Sequence, residues 1–141
     1  MRPKVLITRK IFDEAIAIVK KHFEVEENPS NVPYSHQGLI EKLKDKMGVI
    51  LRLTDRIDDD VLSHCQKLKI VSNIAVGYDN IDVKACTRRK IMVTNTPGVL
   101  DDTTADFTWT LLLATARRIV EADQYLRFSK WKGWELMDFL G

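Results

Sequence analysis

The chain has 141 residues, 45% of them hydrophobic and 30% charged, which is enough length and apolar content to bury a core of its own. Its 22 basic and 20 acidic residues leave a formal charge of +2 and are interspersed along the sequence, which argues against a nucleic-acid or membrane surface. Cys65 and Cys86 lie far apart with no second thiol or histidine at metal spacing, so neither a disulfide framework nor a metal site is expected. The short apolar run Val5-Leu6-Ile7 is no signal-peptide core and no stretch has transmembrane length, so a reducing cytoplasm is the expected location.

Short β-branched runs alternate with longer amphipathic stretches. Strands are expected at Val5 to Thr8, Glu24 to Glu27, Gly48 to Leu53, Ile70 to Ala75 and Ile91 to Thr94. Between the first two, Phe12, Ile16 and Val19 form one helical stripe within Ile11 to His22; Leu39, Ile40 and Leu43 form another before Met47. Asn28 to Pro33 reads as a loop by its turn residues. Asp58 to His64 opens with acids that suit a helix N-terminus, and Asp82 to Arg89 starts on an Asp cap and ends on basic residues. This alternation predicts an α/β fold, a flavodoxin-like, doubly wound parallel sheet of five strands over residues 1–100.

Residues 101–141 follow a different rule. Asp101-Asp102-Thr103-Thr104 offers several caps for a helix whose apolar residues, among them Phe107, Trp109, Leu111, Leu112, Leu113 and Ile119, point in nearly every direction. A helix apolar all round must be covered on all sides. Aromatic and large apolar residues, Tyr125, Phe128, Trp131, Trp134, Met137, Phe139 and Leu140, then crowd the last seventeen positions. Either they form an interface or a terminal helix folds back on its own core.

In an open parallel sheet, ligands bind at the carboxyl ends of the strands. Here those ends are Leu53-Thr54-Asp55, Val76 to Asn80, and Asn95 to Gly98. Gly77 follows an apolar strand end, where a residue without Cβ lets a carboxylate reach backbone N–H groups; the plain alternative is a strand-to-helix turn with Asp79 or Asn80 as a cap. Thr96-Pro97-Gly98 is likewise a turn or a ligand loop. Thr103 and Thr104 are helix caps or hydroxyls facing a cofactor. His22, His36 and His64 fall on outer helices as solvated residues, and Asp58-Asp59-Asp60 point in different directions, as dipole-stabilising acids do. No Gly-x-Gly-x-x-Gly, P-loop or nucleophile elbow is present, and no catalytic residue is assigned. Ile7-Thr8-Arg9-Lys10 after the first strand lacks the acidic pocket of a response-regulator receiver.

Three ordered segments, Val76-Gly77-Tyr78-Asp79-Asn80-Ile81-Asp82, Val93 to Leu100, and Thr104-Ala105-Asp106, resemble the D-isomer-specific 2-hydroxyacid dehydrogenases, in particular the glyoxylate and hydroxypyruvate reductases. Weaker echoes run from Lys4-Val5-Leu6-Ile7-Thr8 to Ala116 through Asp123. The resemblance implies a substrate domain interrupted by a Rossmann coenzyme domain, with residues 101–141 as interdomain helix and dimerisation arm of a homodimer. It also implies reduction of a 2-oxo acid to the D-2-hydroxy acid with NAD or NADP as cofactor. On that resemblance the amides of Val76 and Gly77 hold the substrate carboxylate, Leu53 borders the substrate and Thr104 lies beside the cofactor. The catalytic Arg and His, like the coenzyme domain, are expected beyond Gly141, so the piece alone is expected to be inactive. The alternative is a non-enzymatic dimeric module comparable to the corepressors that reuse this architecture.

Overall fold

The computed structural model describes residues 2–134, and the chain divides into two compact units, Met1–Gly98 and Val99–Gly141. In the first, five parallel strands, β1 (Lys4–Ile7), β2 (Glu24–Glu27), β3 (Gly48–Leu51), β4 (Ile70–Asn73) and β5 (Met92–Thr94), form one sheet in the order β2-β1-β3-β4-β5. Helices α1 (Asp13–His22), α2 (His36–Leu43), α3 (Asp59–His64) and α4 (Val83–Arg88) connect them. This is the flavodoxin-like order expected from the alternating pattern.

Period-two alternation assigns the faces. Leu6, Val49, Leu51 and Val71 pack into one cluster with Leu39, Ile40 and Leu43 of α2, Val61 and Leu62 of α3, and Ala85 and Cys86 of α4. The neighbouring strand positions Val5, Ile50, Ile70 and Ser72 line the opposite face, where Val19 and Phe23 border a hollow of about 240 Å³. At the start of β3 the close approach of strands requires glycine: a Cβ on Gly48 would lie 3.1 Å from Ile70 Cγ2 and 3.3 Å from Val5 Cγ2. The edge strand β2, Glu-Val-Glu-Glu, carries the charges that discourage further strand pairing.

Three helices begin on side-chain caps. Ser35 Oγ accepts from the Gly38 amide at 3.1 Å, Asp58 from Val61 at 3.1 Å and Asp82 from Ala85 at 2.8 Å. Asp82 thus caps α4, rather than Asp79 or Asn80. β1 stops one residue short of its expected end, and β3 and β4 two residues short. The turn that ends β3 has the Asp55 amide donating to the Arg52 carbonyl at 3.0 Å and the Arg52 amide donating to Asp55 Oδ2 at 3.2 Å, which puts Leu53 in the turn. After β4, the Ile74 amide still reaches the Leu51 carbonyl at 2.9 Å before the chain leaves the sheet.

The second unit holds α5 (Asp101–Ala116) and α6 (Ile119–Arg127), separated at Arg118, whose φ of 50° breaks the helical path. Leu100 occupies the cap position of α5 without a side-chain bond, so Thr103 and Thr104 are not caps; the Thr104 amide already donates to the Leu100 carbonyl at 2.8 Å. The two acids at the helix start, Asp101 and Asp102, supply the favourable dipole interaction instead. No residue of α5 or α6 is buried, and Phe107, Trp109 and Leu112 are each more than half exposed. Of the aromatic tail, Trp131 lines a groove with Ala122, Tyr125 and Leu126; Met137, Phe139 and Leu140 lie outside the described residues.

Candidate functional site

All five strands are parallel, so the carboxyl ends of β1, β3, β4 and β5 share one rim. Its foundation is polar and buried. Thr8 and Arg9, directly after β1, are 0% and 6% exposed, while Asp55 and Asn73 are 3% and 2% exposed. The Thr8 hydroxyl donates to Asp55 Oδ2 at 2.7 Å. Arg9 donates to the Asn31 carbonyl at 2.7 Å and to the Thr54 hydroxyl at 2.6 Å, with its Nε 3.6 Å from Asp55 Oδ1. This network fixes the turn that carries Leu53.

A second set of amides fixes the loop after β4. Asn73 Nδ2 donates to the Gly77 carbonyl at 2.9 Å and to Asn80 Oδ1 at 3.1 Å. Asn80 Nδ2 in turn donates to the carbonyls of Asp55 at 2.9 Å and Arg52 at 3.3 Å. Asn95, following β5, donates to the Val76 carbonyl at 2.8 Å. The carbonyls of Val76 and Gly77 are therefore both held by asparagine side chains, while among the described residues their N–H groups donate to no acceptor.

Backbone donors left without a protein acceptor suit a charged one, and these two adjacent N–H groups sit on a backbone held at its carbonyls. Leu53 stands beside them: a Cβ built on Gly77 has Leu53 Cδ2, at 4.0 Å, as its one neighbour within contact range. The structure thus brings together Leu53 and Gly77, with Val76 adjacent in the chain. On the same rim Lys10 and Arg52 border a hollow of about 300 Å³ with Ile11, Phe12 and Ile74, and neither cation has an ion-pair partner among the described residues. Their charge favours anions there. Thr104 is exposed on the first turn of α5 in the other unit, and its hydroxyl has no hydrogen bond among the described residues.

The remaining titratable groups lie apart from this arrangement. His36 is not simply solvated: its Nε2 is 3.3 Å from Asp58 Oδ1 and 3.7 Å from Asp60 Oδ2, and these three ligand atoms lie within 4.8 Å of one another, close enough to hold a cation. Asp59 points elsewhere, to Arg89 at 2.7 Å and Arg88 at 2.9 Å, which hold its pKa below the ordinary range. Burial raises the Asp58 pKa, but the Val61 amide and His36 outweigh it and the net direction is down. Burial pushes the Cys65 thiol up to about 11, which makes it a core residue rather than a nucleophile.

Sequence reasoning placed Asp55, Asn80 and Asn95 on the rim without giving them a role in building it, and it missed Arg9 and Asn73 as builders of it. A signal for one was present: along β4 the inward positions run Val71, Asn73, Ala75, and a polar amide in that row needs partners.

The fold is a doubly wound parallel α/β sheet with a polar, hydrogen-bonded carboxyl rim. The chain belongs to the D-isomer specific 2-hydroxyacid dehydrogenase family, whose catalytic-domain model matches residues 5–130. It is 51% identical to the glyoxylate reductase of Thermococcus kodakarensis, over all of this chain and 44% of that protein. A solved structure from Thermus thermophilus superposes with a TM-score of 0.85 at 36% identity, over 98% of this chain and 44% of that one. An NADPH-dependent glyoxylate/hydroxypyruvate reductase from Sinorhizobium meliloti, in complex with NADP and malonate, superposes with a TM-score of 0.72 at 28% identity, over 99% of this chain and 43% of that one. The chain therefore spans less than half the length of the relatives it matches. Among the described residues no helix is long and apolar enough to cross a membrane.

Proposed function

We propose that this chain is the substrate-binding part of an oxidoreductase that reduces a 2-oxo acid of the glyoxylate or hydroxypyruvate class to the D-2-hydroxy acid. The observation that carries this reading is the pair of unbonded amides at Val76 and Gly77, their carbonyls pinned by Asn95 and Asn73, beside the exposed apolar side chain of Leu53. A carboxylate accepts both N–H groups, and Leu53 borders the short remainder of the acid, so that its 2-oxo group projects away from the sheet. The activities named for the relatives agree with that substrate class.

The cofactor of this reading is NAD or NADP, which supplies the hydride when bound. The Thr104 hydroxyl, exposed and without a partner among the described residues, suits a polar contact with it. Asp101 and Asp102 at the same helix start disfavour the phosphates there, so the family role of Thr104 at the nicotinamide end fits better than a phosphate contact. The chain has no dinucleotide fingerprint of its own, and on the family resemblance the polarising Arg and the proton-donating His belong to a coenzyme domain outside these 141 residues. The exposed apolar helix α5 packs on that domain, and the aromatic segment after α6 is the arm exchanged in a homodimer.

Glyoxylate- and hydroxypyruvate-dependent NAD(P)H oxidation by the full-length protein tests the reading, with Gly77→Ala as the diagnostic variant. The added methyl meets only Leu53 at 4.0 Å, so the fold is kept while the approach to the amides narrows. The expected result is a rise in KM of about tenfold or more, on the order of 1.4 kcal/mol. Wild-type protein that oxidises NAD(P)H with neither acid, yet elutes as a discrete dimer, would instead favour a binding module.

A further inference from the structure

We infer that Asn73 and Asn80 act together as a strap that sets the spacing between the two lips of the carboxylate site, the Arg52–Asp55 turn and the Val76–Gly77 loop. This rests on the reading of Val76 and Gly77 as the carboxylate receptor. Behind both lips the backbone bonds from the Ile57 amide to the Asn80 carbonyl and from the Asp82 amide to the Ile57 carbonyl, each 2.8 Å, join the two segments; at the lips themselves the join is made by side chains. Asn80 makes it on one side through its Nδ2, shared between the carbonyls of Asp55 and Arg52 at 2.9 and 3.3 Å. Its Oδ1 accepts from Asn73 Nδ2 at 3.1 Å, and Asn73 closes the circuit on the Gly77 carbonyl at 2.9 Å. The chain of bonds runs from one lip to the other through two side chains.

The strap has a cost that packing alone does not explain. Asn73 is 2% exposed, and with both amide hydrogens spent on the strap its Oδ1 has no hydrogen-bond partner. A buried acceptor left unbonded destabilises the fold, and an aliphatic side chain in that row of β4 would avoid it. The amide is retained where its two donors reach the underside of the loop that presents the Val76 and Gly77 N–H groups. Asn73 and Asn80 are accordingly positioning residues: neither touches the substrate, and both fix how far Leu53 stands from the amides. An anion held by two donors loses affinity when the donors are misplaced, and where those donors bind ground state and transition state alike the loss falls on KM with kcat kept.

The test compares Asn80→Ala and the milder Asn80→Ser with wild type in the full-length protein. Each is expected to raise KM for glyoxylate about tenfold, with kcat and KM for the nicotinamide cofactor within about twofold of wild type. Titration of the protein, labelled with 15N at valine and glycine, with oxalate gives the second readout: the Val76 and Gly77 amide resonances of Asn80→Ser should need about tenfold more oxalate to shift. A variant that melts at lower temperature but keeps the wild-type KM and the wild-type oxalate titration overturns the strap and leaves the receptor standing. Oxalate that shifts neither amide in wild-type protein overturns the receptor itself, and the strap with it.

Discussion

Replacing Asp55 by alanine should remove the largest single share of stability in the rim. Asp55 accepts from the Thr8 hydroxyl at 2.7 Å and the Arg52 amide at 3.2 Å, and its Oδ1 lies 3.6 Å from Arg9 Nε, with the two side chains 1% and 6% exposed. Breaking a buried ion pair from one side costs about 3–5 kcal/mol, because the other charge stays buried without its counter-ion. Arg9 keeps its bonds to Asn31 and Thr54, and the 3.6 Å contact is not a tight fork, so the lower end, about 3 kcal/mol, is expected. That is a large part of the roughly 5–15 kcal/mol that holds a domain folded. Urea unfolding followed by far-UV circular dichroism measures it. In an Arg9→Met background the same substitution should cost at least about 1 kcal/mol less, since no buried cation remains. A loss below about 1 kcal/mol, or an equal loss in both backgrounds, would refute the reasoning.

Three further outcomes are expected. Lys90 sits just past α4 at φ 56°, a backbone conformation that costs an L-residue about 1–2 kcal/mol, so Lys90→Gly should raise stability by roughly 0.5–1 kcal/mol in the same urea assay, and a loss would contradict it. Cys65 and Cys86 are buried with thiol pKa values pushed up by that burial, so neither should react with a thiol reagent at about pH 8 until urea unfolds the protein; rapid modification of the native state would place one of them at the surface. Lys46 and then Lys4 hold the Asp45 carboxyl at about 2, below its ordinary 3.8. A depressed folded-state pKa gives stabilisation that is complete above 3.8 and is lost as the pH falls through about 2. The acid-induced fall in melting temperature across that window should therefore flatten in Asp45→Asn, and an unchanged slope would rule out Asp45 as a source of it.

The sheet was legible because four of its five strands carry short β-branched runs between helical stripes, the edge strand Glu-Val-Glu-Glu excepted. The faces follow from alternation: Leu6, Val49, Leu51 and Val71 are out of step with Val5, Ile50 and Ile70 along their strands. The ends of β3 and β4 were not legible, because Leu53 and Ala75 extend the apolar runs while side-chain bonds from Asp55 and Asn73 turn the backbone away. Composition scores a residue for what it is, and these bonds depend on partners 47 and 7 residues distant, Thr8 and Asn80. The same limit applies to Arg9, which as a charged residue after a strand reads as surface until its neighbours enclose it. The start of α5 misled in another way: Thr103 and Thr104 have cap chemistry, yet Asp101 and Asp102 already tolerate the helical first turn and suit its dipole, so the helix begins before them.

The most direct measurement is the structure of the full-length protein crystallised with oxalate and its nicotinamide cofactor. One oxalate carboxylate is predicted to lie within about 2.7–3.2 Å of both the Val76 and Gly77 amide nitrogens, with Leu53 against the rest of the oxalate. Oxalate bound on side chains elsewhere, with those two amides left to solvent, would contradict the assignment of the carboxylate site.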